Sequence, residues 1–214
     1  MKGYLNAKEV GVDHISLFSA TSDTFSKKNI NCSVKESFER MQEVATEAKA
    51  DGIKIRGYIS TAFGCPYEGE MNAKSLIETA TRFLELGVEQ ISIGDTIGVG
   101  TPKQVYEYTK LLSKEIPVKM LAMHFHDTRS MALSNTLSAL ECDIRVFDSS
   151  SGGLGGCPYA HGATGNVATE DMLYLFHSLG LKTNVDLEKV VMASKFILNK
   201  VHKISPSKYF QTLS

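Results

Sequence analysis

Met120-Leu121-Ala122-Met123-His124-Phe125-His126 alternates in character along its length. Residues two apart on a strand share a face. Leu121, Met123 and Phe125 therefore make one apolar side, and Met120, Ala122, His124 and His126 make the other. The run Ile53–Ser60 does the same, with Ile53, Ile55 and Ile59 on one side and Lys54, Arg56, Tyr58 and Ser60 on the other. In both runs the polar groups gather on one face, toward the C-terminal end. A parallel strand buried under helices on both faces tolerates this poorly. A TIM (β/α)8 barrel accommodates it, because helices cover only the outer face and chemistry collects at the C-terminal ends of the strands. The expectation is an α/β chain built as a barrel wall rather than a doubly wound open sheet.

Working outward, strand-like runs alternate with helical ones, as a parallel sheet requires. Strands are expected over Val12–Phe18, Ile53–Ser60, Gln90–Gly94, Met120–His126, Asp143–Phe147 and Gly165–Ala168. Ser33 with Glu36 three residues on is a capping box. It opens a helix whose inner face carries Phe38, Met41, Ala45 and Ala48 and which stops at Gly52. Asn72 opens a second helix ending at Gly87, and Thr101-Pro102 opens a third that ends before Pro117. Further helices follow from about Thr128 to Leu140, from Thr169, and over Asp186–Val201. Six strands are found where a closed barrel needs eight, and a short helix over Lys2–Val10 leads straight into the first of them. Residues 1–214 thus read as a single barrel domain lacking its first two βα units, on the order of 60 residues or more at about 30 per unit.

Composition bounds the function. The 23 Lys and Arg balance 24 Asp and Glu, a net charge of −1, which offers no footprint for nucleic acid or an acidic membrane. No apolar run reaches the ~18 residues of a membrane span. Cys32, Cys65, Cys142 and Cys157 form neither a CxxC pair nor a zinc spacing, so free thiols are expected. Asn31-Cys32-Ser33 is a glycosylation sequon with nothing else pointing to secretion.

Several motifs can carry chemistry. His124 and His126 point to one face at a strand's C-terminal end, as two metal ligands must, or as two hydrogen-bonded imidazoles would. Asp127 either orients one of these rings or caps the next helix. Between positions 152 and 165 lie six glycines, with Cys157 among them. Such a loop can approach a ligand closely and present the thiol as an acid or base, or it is a connector with an incidental cysteine. Asn166 can offer a neutral oxygen to a hard cation, or serve as a turn residue. Glu170 follows at the mouth of the next unit. Asp95 ends a strand on the catalytic side of a barrel, as a base or as a carboxylate capping its own loop. Gly64-Cys65-Pro66-Tyr67 echoes positions 156–159. Lys27 and Lys28 are the one compact basic spot, suited to a phosphate or simply solvated.

These strings together resemble the 3-hydroxy-3-methylglutaryl-CoA lyase family of the DRE-TIM metallolyase superfamily. The carrying residues are 27–32, 56–58, 64–69, 94–102, 124–128, 153–160 and 165–171. The resemblance implies a TIM barrel and a divalent cation, Mg2+ or Mn2+, held by His124, His126 and Asn166. It implies catalytic roles for Cys157, Asp95, His124, Tyr58 and Glu170, and acyl-CoA contacts at Lys28, Asn29 and Arg56. The implied reaction cleaves the acyl-CoA to acetyl-CoA and acetoacetate, as in ketogenesis and leucine breakdown. A homodimer in the mitochondrial matrix is the family expectation. The family's Arg-Asp pair on its first strand and Glu on its second have no counterpart here, so the chain alone is expected to be inactive or nearly so. A related aldolase or synthase, and a non-catalytic form that binds full-length subunits, are the alternatives.

Overall fold

The computed structural model describes residues 1–156 and 165–213. Helix α1 (Lys2–Glu9) leads into strand β1 (His14–Ala20), then α2 (Asp23–Ile30) and α3 (Val34–Ala50). Strand β2 (Lys54–Ser60) follows, then a hairpin of β3 (Gly64–Cys65) and β4 (Gly69–Glu70), and α4 (Ala73–Glu85). Next come β5 (Gln90–Asp95), α5 (Pro102–Leu112), β6 (Leu121–Phe125), α6 (Ala132–Glu141) and β7 (Phe147–Asp148). Helices α7 (Thr169–Ser178), α8 (Leu187–Val201) and α9 (Lys208–Gln211) complete the chain. No described helix is long and apolar enough to cross a membrane.

Five strands form one parallel sheet in the order β1-β2-β5-β6-β7. The order follows the sequence without reversing. A doubly wound sheet reverses at a switch point; an unreversed parallel order with helices on one side is the wall of a barrel. The helix side is a single apolar core. Phe38 and Met41 of α3, Leu76 and Phe83 of α4, Val105 and Leu112 of α5 and Ala132 and Ala139 of α6 pack on Leu17, Ile55, Ile59, Ile91, Ile93, Leu121, Met123 and Phe125. Each fully buried large side chain there contributes about 1.5–3 kcal/mol. The Phe38 and Phe83 rings meet edge to face with centroids 4.9 Å apart. Gly57 makes that layer possible: a Cβ there would lie 2.7 Å from the Phe83 ring.

The capping box of α3 forms as expected, Ser33 Oγ accepting from Glu36 N and Glu36 Oε2 accepting from Ser33 N at 2.7 Å. Asn72 and Thr101 cap α4 and α5. Several boundaries differ from the sequence expectation, β1 among them, which runs His14–Ala20 rather than Val12–Phe18. Residues 118–120 form a 3-10 turn after Pro117, so β6 starts at Leu121. Residues 127–130 form a turn in which Ser130 N donates to Asp127 O, which delays α6 to Ala132. Asp143 adopts a left-handed backbone (φ 64), which a strand excludes, so β7 is confined to Phe147–Asp148. The expected strand over 165–168 appears as two single bridges, His126 with Asn166 and Ser150 with Ala168. Helices α2 and α9 and the β3–β4 hairpin were not anticipated. Cys32, Cys65 and Cys142 are free and buried.

Candidate active site

The opposite face of the sheet is polar because the strand alternation places it so. The register aligns Arg56 with Gln90, Tyr58 with Ser92, Gly94 with His124, and His124 with Asp148. On this face Arg56, Tyr58, Gln90, His124 and Asp148 are half-exposed, while Ser92 and Gly94 are buried. Of these, Tyr58, Ser92, Gly94 and His124 line a hollow of about 360 Å³ together with Phe18 and His126.

His124 and His126 stand at the end of β6 with ring centroids 5.4 Å apart. His126 is 7% exposed, and its Nδ1 has no hydrogen-bond partner. Burial, with the neighbouring His124, holds its imidazole down at about 4, so the ring is neutral at physiological pH and carries a free lone pair. The single bridge to His126 brings Asn166 alongside. The Asn166 amide is oriented by donating Nδ2–H to Leu154 O at 2.9 Å, which leaves its buried Oδ1 without a partner. Gly155 permits this approach, since a Cβ there would lie 2.5 Å from Asn166 Nδ2. Unpartnered buried acceptors are costly unless something fills them. A divalent cation fits this set, and two imidazoles with an amide oxygen suit Mn2+ as well as Mg2+. Among the described residues no three His, Cys, Asp or Glu side chains converge.

The remaining sequence-derived candidates take different places. Tyr58 lies in the hollow, where its hydroxyl accepts from Arg56 Nη1 at 2.8 Å. Arg56 lies 4.9 Å from the Tyr58 ring centroid and pairs with Asp148 at 2.9 Å. Glu170, fully buried in the first turn of α7, accepts the Gly152 N–H with both carboxylate oxygens at 3.0 and 3.1 Å. It thereby anchors the start of the glycine-rich segment. Asp95 falls in register with Phe125, on the helix side. Its carboxylate accepts from Val99 N at 3.0 Å and Gly100 N at 2.9 Å, the loop-capping arrangement. Burial pushes its carboxyl up to about 6 against those hydrogen bonds. Asp127 accepts from Ala132 N at 3.0 Å and so caps α6 instead of reaching an imidazole. Lys28 and Asn29 lie on α2 at the C-terminal rim, with Lys28 Nζ 4.7 Å from the Tyr67 ring centroid. Cys157 lies outside the described residues.

Asp148 was missed from sequence. It accepts from Ser92 Oγ at 2.7 Å, pairs with Arg56, and has His124 Nδ1 3.5 Å away. Burial alone would raise its carboxyl, but the facing His124 ring, the Ser92 hydrogen bond and the Arg56 charge outweigh burial and hold it below the usual range. The signal was present: extending the expected strand one residue past Phe147 puts Asp148 on the His124 face.

The model of the HMGL-like family matches residues 1–197. The chain is 49% identical over 211 residues to the mouse protein named 3-hydroxy-3-methylglutaryl-CoA lyase, cytoplasmic, covering 99% of this chain and 62% of that protein. It is 46% identical to the chicken protein named hydroxymethylglutaryl-CoA lyase, mitochondrial, covering 99% and 71%. The crystal structure of hydroxymethylglutaryl-CoA lyase from Pseudomonas aeruginosa superposes with a TM-score of 0.96 at 43% identity, covering 100% of this chain and 71% of that one. The chain thus spans between 62% and 71% of the length of these relatives.

Proposed function

The chain belongs to the HMGL-like family, and on that premise we propose that it carries the metal-binding wall of a lyase that cleaves 3-hydroxy-3-methylglutaryl-CoA to acetyl-CoA and acetoacetate. The observation that carries this reading is the pair of buried acceptors without partners, His126 Nδ1 and Asn166 Oδ1, beside the His124 ring. A divalent cation, Mg2+ or Mn2+, held by His124, His126 and Asn166 would polarise the substrate's tertiary hydroxyl and ease its deprotonation.

The chain's own residues account for the rest. His124 faces the hollow and Asp95 is closed into its loop, so His124 either ligates the cation or takes the hydroxyl proton; one nitrogen cannot do both at once. As the hydroxyl oxygen becomes a ketone, the carbon–carbon bond breaks and acetoacetate leaves. The electron pair passes to the acetyl-CoA carbon, which takes a proton from the Cys157 thiol. Glu170 fixes Gly152, where the segment carrying Cys157 begins. Lys28, Asn29 and Arg56 meet the acyl-CoA, Arg56 also being engaged with Asp148 and Tyr58. The same reading gives the chain a place in ketogenesis and leucine breakdown, as a homodimer in the mitochondrial matrix. Relatives named for the cytoplasm and for the mitochondrion support the compartment only as one of two.

The 214-residue chain alone is proposed to be nearly inactive, because it carries neither the Arg-Asp pair nor the Glu of the family's first strands. Losing a charge aimed at a developing anion costs about 10²–10³ in rate. The test is acetoacetate and acetyl-CoA release with Mn2+ or Mg2+, by the chain alone and by the chain mixed with the first two βα units of the mouse relative. The mixture is expected to release both products in equal amounts and the chain alone at least about a hundredfold less. Full-rate release by the chain alone overturns the inactivity. Release of neither product by a folded mixture overturns the lyase reading and leaves the aldolase or synthase, or the non-catalytic subunit-binding form.

A further inference from the structure

We infer that Asp148 is a positioning residue for His124: its carboxylate faces Nδ1, keeps the proton on that nitrogen and so presents the Nε2 lone pair to the site. The inference rests on the lyase reading for its purpose, since either role proposed there for this imidazole needs that lone pair. Its geometry stands independently. β7 is two residues long, yet its register sets Asp148 directly across from His124. His124 Nδ1 is buried without a hydrogen bond of ordinary geometry, and the acceptor facing it is Asp148 Oδ2, 3.5 Å away.

The carboxylate is not free to swing away. Oδ2 accepts from Ser92 Oγ at 2.7 Å, and Oδ1 pairs with Arg56 Nη2 at 2.9 Å. Arg56 is fixed in turn by donating Nη1–H to the Tyr58 hydroxyl at 2.8 Å. One carboxylate thus joins the inner faces of β2, β5, β6 and β7. A neutral imidazole has one donor and one acceptor nitrogen. Facing a fixed acceptor with Nδ1 favours the tautomer protonated there, and second-partner carboxylates of this kind also raise the basicity of the other nitrogen.

A purely structural role, as counter-ion to Arg56, would leave the His124 tautomer indifferent to Asp148. Imidazole 15N chemical shifts of the 214-residue chain separate the two. They are recorded well above the ordinary imidazole range, with His124 assigned by its loss in His124→Gln. The expected result is a neutral ring protonated on Nδ1. In Asp148→Asn, shown by circular dichroism to be folded, the ring is expected to move to a mixture or to the Nε2-protonated form. A wild-type His124 protonated on Nε2 overturns the inference whether or not the variant folds. An unchanged tautomer in folded Asp148→Asn also overturns it. Neither outcome depends on turnover, so failure here is distinguishable from failure of the lyase reading.

Discussion

Asp95 ends β5 with its carboxylate turned back into the loop that it begins, each oxygen taking one backbone N–H. Asp95→Asn keeps one acceptor and sets an amide donor against the other N–H. The expected cost is about 1–3 kcal/mol, read from urea unfolding. The pH dependence follows from the raised carboxyl. Its pKa of about 6 exceeds the ordinary 3.8, so the folded chain binds this proton more tightly than the unfolded one. The contribution of Asp95 to stability therefore falls as pH rises from about 4 to about 6 and is flat above that window. The advantage of wild type over Asp95→Asn should shrink across the window and stay constant beyond it. Gly155→Ala has a different target. Its new Cβ would lie 2.5 Å from Asn166 Nδ2 at φ 105, so the amide must move. Mn2+ affinity should fall about tenfold or more with the helix content intact, as titration calorimetry and circular dichroism would show. At this scale the sequence was legible where local geometry settles the matter. His124 and His126 share a face because strands repeat every two residues. The direction of the Asp95 carboxylate depends on where residues 96–100 return, and Asp148 acquires meaning only when four strands are laid side by side.

Elements read well where capping and hydrophobic period agree, as in α3, α4 and α5. They read poorly where one residue's backbone overrides the pattern. Asp143 lies in the left-handed region, and of the expected Asp143–Phe147 only Phe147 belongs to β7. Helix α2 escaped notice because its eight residues bury only Phe25 and Ser26, too few to show a period. Its start was nevertheless marked by Ser22, whose side chain accepts from Phe25 N at 3.0 Å. The contact between β2 and α4 gives the sharpest test of packing. In Gly57→Ala the new methyl would meet the buried Phe83 ring, itself held against Phe38. Overpacking of this kind costs about 1–3 kcal/mol, and the thermal midpoint of the variant should drop accordingly.

For the molecule as a whole, one open feature of the described structure is the free edge of β1, which pairs only with β2. Unpaired backbone groups along seven residues invite another strand. The chain is expected to self-associate as concentration rises, by sedimentation velocity. Ser16→Lys, which sets a charge on the exposed inner face of β1, should weaken that association. A barrel wall was legible from the polar faces of two strands, but the count of strands could not say how its ends are met, since that depends on pairing over long range.

The unreversed strand order has one more consequence. Every strand of the sheet after β1 finds its first partner in the sheet strand synthesised before it, with one helix-bearing connection between them. A chain leaving the ribosome N-terminus first can therefore lay down this wall in sequence, each new strand docking on a finished edge without waiting for a distant one.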